Sequence, residues 1–154
     1  MNLLFDTNII LYIIRTSDTT DIIQFLNPEN SPVYTSIVSE GEIKSLALQN
    51  KWGANRLSIL NHFLDQVNII DINNLNVNVY TAIEAYSQKK HPDFPAYPFD
   101  SPRNMGKNDL WIASLAALLG LQLVTTDPDF DHLHDVFFDV RKIDHQDLLP
   151  FSRK

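Results

Sequence analysis

The chain has 154 residues, with 19 Asp and Glu against 12 Lys and Arg, a formal net charge of −7 and no cysteine. The length fits one domain, residues 1–154, able to bury most of the surface its unfolded form exposes, and the ordinary composition excludes fibrous and disordered classes. Without cysteine there are no disulfides or thiolate zinc sites, which fits a reducing compartment.

Met1 leads within a few residues into an apolar stretch, with no basic region or small-residue cleavage site, and no apolar run approaches membrane length. A cytoplasmic protein with no membrane partner is expected. Proteins that grip nucleic acid usually carry a basic footprint, and here seven acids fall between Asp127 and Asp147. Either the partner is not a polyanion, or divalent cations and a local basic surface do the gripping. The acidity also favours a basic protein partner.

Asn2–Phe5 is a short apolar run that reaches Asp6-Thr7-Asn8 and then a longer apolar run to Ile14. The first is too short for a helix and the second long enough for a buried one, so the spacing predicts strand, polar turn, helix. Ser17-Asp18-Thr19-Thr20 starts a second helix carrying Ile22, Ile23, Phe25 and Leu26. After the turn residues Asn27–Pro32, Val33-Tyr34-Thr35 is a strand. A helix follows from about Ser36 to Asn50, with Ile43, Leu46 and Ala47 facing the core. Gly41 inside it costs on the order of 1 kcal/mol relative to Ala, which suggests a close approach of backbone or substrate there.

Gly53 separates that helix from one carrying Leu57, Leu60, Phe63 and Leu64. Val67–Ile70 is the third strand, and Val79, Tyr80, Ile83 and Tyr86 mark the next helix. Residues 90–107 hold four prolines and three aromatics without period, a long irregular loop of the kind that is usually functional or mobile. Lys107-Asn108-Asp109 opens an almost wholly apolar helix that ends at Gly120. Leu121–Thr125 is a strand stopping at Thr126-Asp127-Pro128. Val136–Val140 is the last strand, before a polar tail. Alternating helices with short, largely apolar strands predict a three-layer α/β/α fold around a mainly parallel sheet.

Four acids stand out. Asp6 and Asp127 follow strands, Asp109 opens a buried helix, and Glu42 lies on the helix after the second strand. Each has an ordinary explanation as a helix cap, a dipole partner, a turn residue or an exposed helix position. In a parallel sheet, however, these locations converge on one edge. Carboxylates gathered without basic partners repel and are costly to desolvate. A divalent cation with a preference for oxygen, magnesium or manganese, removes that cost and supports hydrolysis of a phosphodiester.

Phe5-Asp6-Thr7-Asn8, Glu42 within Ser39–Ile43, Asn108–Ala113 and Thr125–Phe130 together resemble the signature of PIN-domain ribonucleases, in order and spacing over essentially the whole chain. Length and motif wording are most similar to VapC toxins of type II toxin–antitoxin modules. The resemblance implies a five-stranded parallel sheet and a magnesium- or manganese-dependent endoribonuclease that acts on RNA, forms a homodimer and is held inactive by an antitoxin. It places Asp6, Glu42 and Asp109 around the metal and Asp127 as the fourth acid, with Asp129 and Asp131 as alternatives for that corner. Thr7, Asn8, Asn108 and Thr126 match positions that support the acids. Glu40, two residues from Glu42, points to another helix face and is left out.

Arg103 and Lys107, at the end of the irregular loop and just before Asp109, are the candidates for contact with RNA. For most of the loop, packing against the protein is the simpler reading. His132 and His134 form a His-x-His pair that fits a solvated turn better than a transition-metal site. Tyr12 and Trp111 are expected in the core or at a dimer contact. Two alternatives compete. An aspartyl phosphatase would want a second Asp at position 8, which is Asn. A PIN-like module without activity, binding RNA or protein, would not need all four acids.

Overall fold

In the computed structural model, which describes residues 1–16 and 18–152, β1 (Leu3–Phe5) is the central strand of the sheet. Ser17, at the expected start of the second helix, lies outside the described residues, as do positions 153 and 154 of the expected 1–154 domain. The other strands are β2 (Val33–Ser36), β3 (Asn68–Ile70), β4 (Gln122–Thr125) and β5 (Val140–Lys142). Their order is β3-β2-β1-β4-β5, and every neighbouring pair is parallel. Leu3 pairs with Val33 on one side and Gln122 on the other, which brings the ends of β1, β2 and β4 level at one edge.

β1 and most of β4 are buried on both faces, where apolar residues succeed one another without polar alternation, while the edge strands β3 and β5 are partly exposed. Leu3, Phe5 and Val124 face a core built with α1 (Thr7–Ile14), α2 (Thr19–Leu26), α4 (Ala54–Gln66) and Ile43 of α3 (Ile37–Gln49). Leu4 and Leu123 face a second core built with α5 (Asn76–Ser87) and α6 (Lys107–Leu119). The fold is therefore the expected α/β/α sandwich. Each fully buried Leu, Ile or Phe contributes about 1.5–3 kcal/mol of transfer free energy.

Local chemistry sets the helix starts. Asp6, Asp18 and Ser36 each cap a helix by accepting a backbone N–H from Ile9, Thr20 and Val38 respectively. Gly120 closes α6 in the left-handed region, φ 63°, which a side chain disfavours. Among the described residues no helix is long and apolar enough to cross a membrane.

Several expectations need correction. The last strand is not Val136–Val140. After the 3-10 segment Pro128–Leu133, Asp135 takes a left-handed backbone (φ 59°) and its N–H bonds the Phe138 carbonyl. Phe138 then plugs the second core, and pairing with β4 begins only at Val140. The C-terminal tail is only partly polar, since Ile143 and Leu148 are buried, the latter on α7 (His145–Leu148). Leu46 and Leu57 are each 36% exposed rather than in the core; Leu46 forms a wall of the cleft described below, and Leu57 lies against Leu48 and Trp52 in a surface groove.

Gly41 has no close neighbour. A Cβ built there meets nothing within 4 Å, so no part of the protein approaches closely there, and the residue lowers the helix propensity of α3. Replacing Gly41 by Ala is expected to stabilise the protein by about 0.5–1 kcal/mol, read as a higher denaturant midpoint at unchanged slope. A neutral or lower midpoint would mean that the glycine serves something other than the folded helix.

Candidate metal centre

Asp6 sits where β1 meets α1 and is 4% exposed. Its Oδ1 accepts the Ile9 N–H at 3.0 Å, and its Oδ2 accepts the hydroxyl of Thr125, the last residue of β4. That Thr125 oxygen in turn accepts the Asp127 N–H at 2.9 Å. Asp127 caps the 3-10 segment, its Oδ1 accepting the Asp129 N–H at 2.9 Å. On α3, Glu42 Oε1 accepts the hydroxyl of Thr7 at 2.8 Å, and the fully buried Ser39 hydroxyl lies 3.0 Å from the same Thr7 oxygen. Asp109 stands in the first turn of α6, over the free amide end of that helix.

These elements enclose a cleft of about 430 Å³. Asp6, Glu42, Asp109 and Asp127 all line it, with Thr7 and Asn8 beside them and Leu11 and Leu46 as an apolar wall. Asp109, Asp127 and Asp129 each present a carboxylate oxygen within 4.8 Å of the others.

The electrostatics follow from crowding. Burial, with smaller pushes from Asp109 and Asp127, raises the Asp6 carboxyl to about 6 despite its hydrogen bonds from Thr125 and Ile9. Asp109 is also raised to about 6, by burial first and then by Asp127, Glu42 and Asp129. Among the described residues no Lys, Arg or His forms an ion pair with Asp6, Glu42, Asp109, Asp127 or Asp129. An all-oxygen donor set with surplus negative charge and no basic partner fits a hard divalent cation such as magnesium or manganese.

Other candidates fall elsewhere. Asp131 forms an ion pair with Lys142 at 3.1 Å, which draws it away from the acids. Glu40 pairs with Lys44 on the outer face of α3. Asn8, although it lines the cleft, and Asn108 are exposed, and Thr126 makes no side-chain hydrogen bond among the described residues. Lys107 is exposed on α6, whereas Arg103 donates from Nη2 to the Pro128 carbonyl at 2.9 Å. The irregular loop is packed: Phe94, Tyr97 and Phe99 lie against Tyr86.

His132 is a correction. It is buried, not solvated, parallel to the Tyr86 ring and hydrogen-bonded to Ser87, and burial followed by the charge of Arg103 lowers it to about 4. His134 accepts the Val140 N–H through Nδ1, so its neutral form carries the proton on Nε2, beside Asp135. That tautomer leaves no free ring nitrogen for a metal.

Two supporting residues escaped the sequence reading, Thr125 and Ser39. Both had a signal. A Thr two residues before an acid has the spacing at which its hydroxyl accepts the N–H at i+2, and Ser39 lies three residues from Glu42, on the same helix face.

The family model for the PIN domain matches residues 3–136. A comparison with curated protein sequences finds no significant match. Among solved structures, the chain is similar to one in VapBC2 from Rickettsia felis bound to a DNA fragment from their promoter, at TM-score 0.71 and 22% identity, covering 92% of this chain and 98% of that one. VapBC-1 from nontypeable Haemophilus influenzae gives TM-score 0.68 and 21% identity over 92% and 98%. VapBC-5 from Mycobacterium tuberculosis, a member of the VapBC family of toxin–antitoxin systems, gives 0.56 and 20% over 93% and 98%. At these identities the likeness concerns the fold.

Two predictions follow from the geometry. A carboxyl raised in the folded state favours folding only while protonated, so metal-free protein loses stability as pH rises from about 4 through 6. In EDTA at pH 7.5, Asp109→Asn is therefore expected to be about 1–2 kcal/mol more stable than wild type, allowing for screening, and the gap should close near pH 4. A gap independent of pH would contradict the crowding. Thr125→Val removes the hydroxyl that bonds Asp6 and accepts the Asp127 N–H, and is expected to weaken Mn2+ binding about 10–100-fold by calorimetry. Unchanged affinity would show that the acids hold their places without it.

Proposed function

The chain belongs to the PIN-domain family, and on that premise we propose that it is a magnesium- or manganese-dependent endoribonuclease that hydrolyses RNA phosphodiesters at the carboxylate cleft. The observation that carries this reading is the meeting of Asp6, Glu42, Asp109 and Asp127, from four separate elements, in one cleft with no cationic partner among the described residues. When bound there, the divalent ion supplies charge for a phosphoryl oxygen and lowers the pKa of a water. Asp6, Glu42 and Asp109 are its proposed ligands, with Asp127 as the fourth acid and Asp129 beside it.

The chain's own residues arrange that chemistry. Thr7 orients Glu42, and Thr125 orients Asp6 while anchoring the backbone of Asp127. One carboxylate of the set would help deprotonate the attacking water. Lys107, on the first turn of α6, is the proposed contact for an RNA phosphate. No side chain needs to act as nucleophile.

The likeness to VapBC complexes supports the role of a toxin inhibited by a cognate antitoxin; that it works as a homodimer in the cytoplasm is part of the same proposal. We also take residues 1–154 as one domain, because the described helices all pack on one sheet.

Purified protein incubated with structured RNAs and Mn2+ tests the reading. Cleavage should stop in EDTA, and Asp6→Asn should reduce it to background while leaving the circular dichroism spectrum unchanged. Equal cleavage by the variant would remove the proposed site. Absence of cleavage by wild type as well would favour a binding module without activity.

A further inference from the structure

The Asp127–Asp129 corner is built differently from the rest of the site. Asp6 and Glu42 project from a strand end and a 13-residue helix. Asp127 caps, and Asp129 lies in, the six-residue 3-10 segment Pro128–Leu133, and such turns have poorer hydrogen-bond geometry than α-helix. Phe130 and Leu133 seat the segment in the second core, and polar contacts must fix its orientation there.

Two contacts do so, and both lead to residues 88–106, the stretch between α5 and α6, or to its root. Pro128, directly after Asp127, accepts the Arg103 guanidinium through its carbonyl at 2.9 Å. Arg103 is itself tethered, its backbone N–H donating to the Ser87 carbonyl at 2.7 Å. At the other end of the segment, His132 Nε2 and the Ser87 hydroxyl share a hydrogen bond of 2.7 Å in the interior. Ser87, the last residue of α5, thus meets both arms.

The stretch that carries Arg103 is itself rigidly built. Phe94, Tyr97 and Phe99 pack on Tyr86 at ring-centre distances of 4.7, 5.2 and 5.5 Å. Tyr97 donates its hydroxyl to the His91 carbonyl, Gln88 donates to Asn104, and Lys89 donates to the Asp100 carbonyl. Four prolines further restrict its backbone. Arg103 is therefore presented from a fixed frame rather than a loose strand of chain.

We propose that Arg103 and His132 are positioning residues for the fourth corner of the metal site, clamping the Pro128–Leu133 segment so that the Asp127 and Asp129 carboxylates meet Asp109. This inference rests on the metal-site reading above. A small, strongly hydrated divalent cation demands near-ideal ligand spacing, so loosening a six-residue segment costs affinity directly. Arg103 then acts through the Pro128 carbonyl and not on the RNA.

Titration calorimetry with Mn2+ on the full chain, without RNA, tests this. Arg103→Ala is expected to weaken Mn2+ binding about tenfold, and His132→Phe, which keeps the ring against Tyr86 but loses the Ser87 bond, to weaken it similarly. Arg56→Ala, on α4 and outside the cleft lining, should bind Mn2+ like wild type. In an Asp127→Asn, Asp129→Asn background the Arg103→Ala change should cost nothing further, because the corner it holds is gone. An equal loss in that background would make Arg103 a general stabiliser and overturn the inference. So would wild-type Mn2+ affinity in Arg103→Ala combined with a raised KM for RNA, which would make it an RNA contact. Wild-type protein that binds no Mn2+ would overturn the metal-site reading, and this inference with it.

Discussion

Asp6 is a buried carboxylate held from two directions. One oxygen caps α1 and the other accepts a hydroxyl from the end of β4. The cap contributes to folding whether or not an ion is present, typically about 1 kcal/mol. The second bond fixes β4 and its following turn relative to β1, and through Thr125 it reaches the backbone of Asp127. The rest of the cleft is built outward from this pair. Thr7, one residue on, orients Glu42, and the level ends of the parallel strands bring Asp109 and Asp127 within range.

Structure and charge pull against each other here. Asp6, Glu42 and Asp127 are placed by hydrogen bonds that stabilise the fold, yet burial first and the neighbouring acids second raise the carboxyls of Asp6 and Asp109 to about 6. A single basic residue in the cleft would relieve the strain and also fill the place a cation would take. Three nearby bases are engaged elsewhere, Lys44 with Glu40, Lys142 with Asp131, and Arg103 with Pro128, and Lys107 is exposed on α6. The overall charge of −7 is thus partly explained by a site that has no local compensation.

How much of this could be seen in the chain alone depended on the range of the interaction responsible. Strand ends and helix starts at Asp6, Ser36 and Gly120 are encoded within a few residues, by apolar runs and capping chemistry, and they were legible. So was the convergence of the four acids, because parallel topology sends all strand ends to one edge. The failures came where a distant partner decides. Val136–Val140 has a strand's composition, but Phe138 is claimed by a core assembled from α5 and α6, and the chain turns first. His132 looked solvated because its partners, Tyr86 and Ser87, lie some 45 positions away. Thr126 and Thr125 are indistinguishable by composition; the pleat buries Thr125 and turns Thr126 outward. Gly41 and Leu46 show the converse, local signals with no packing consequence.

The bond between Asp6 and Thr125 joins residues 119 positions apart, and β1 cannot complete its pairing until β4 exists. Contacts of such sequence separation form late, since loop closure must precede them. During synthesis, a growing chain can assemble α1 to α4 on one face of the sheet while the cleft still lacks Asp109, Thr125 and Asp127. The carboxylate cleft is therefore completed only when nearly the whole polypeptide has been made. Truncated products carry an incomplete centre, and order of synthesis becomes a form of timing control written into the strand order.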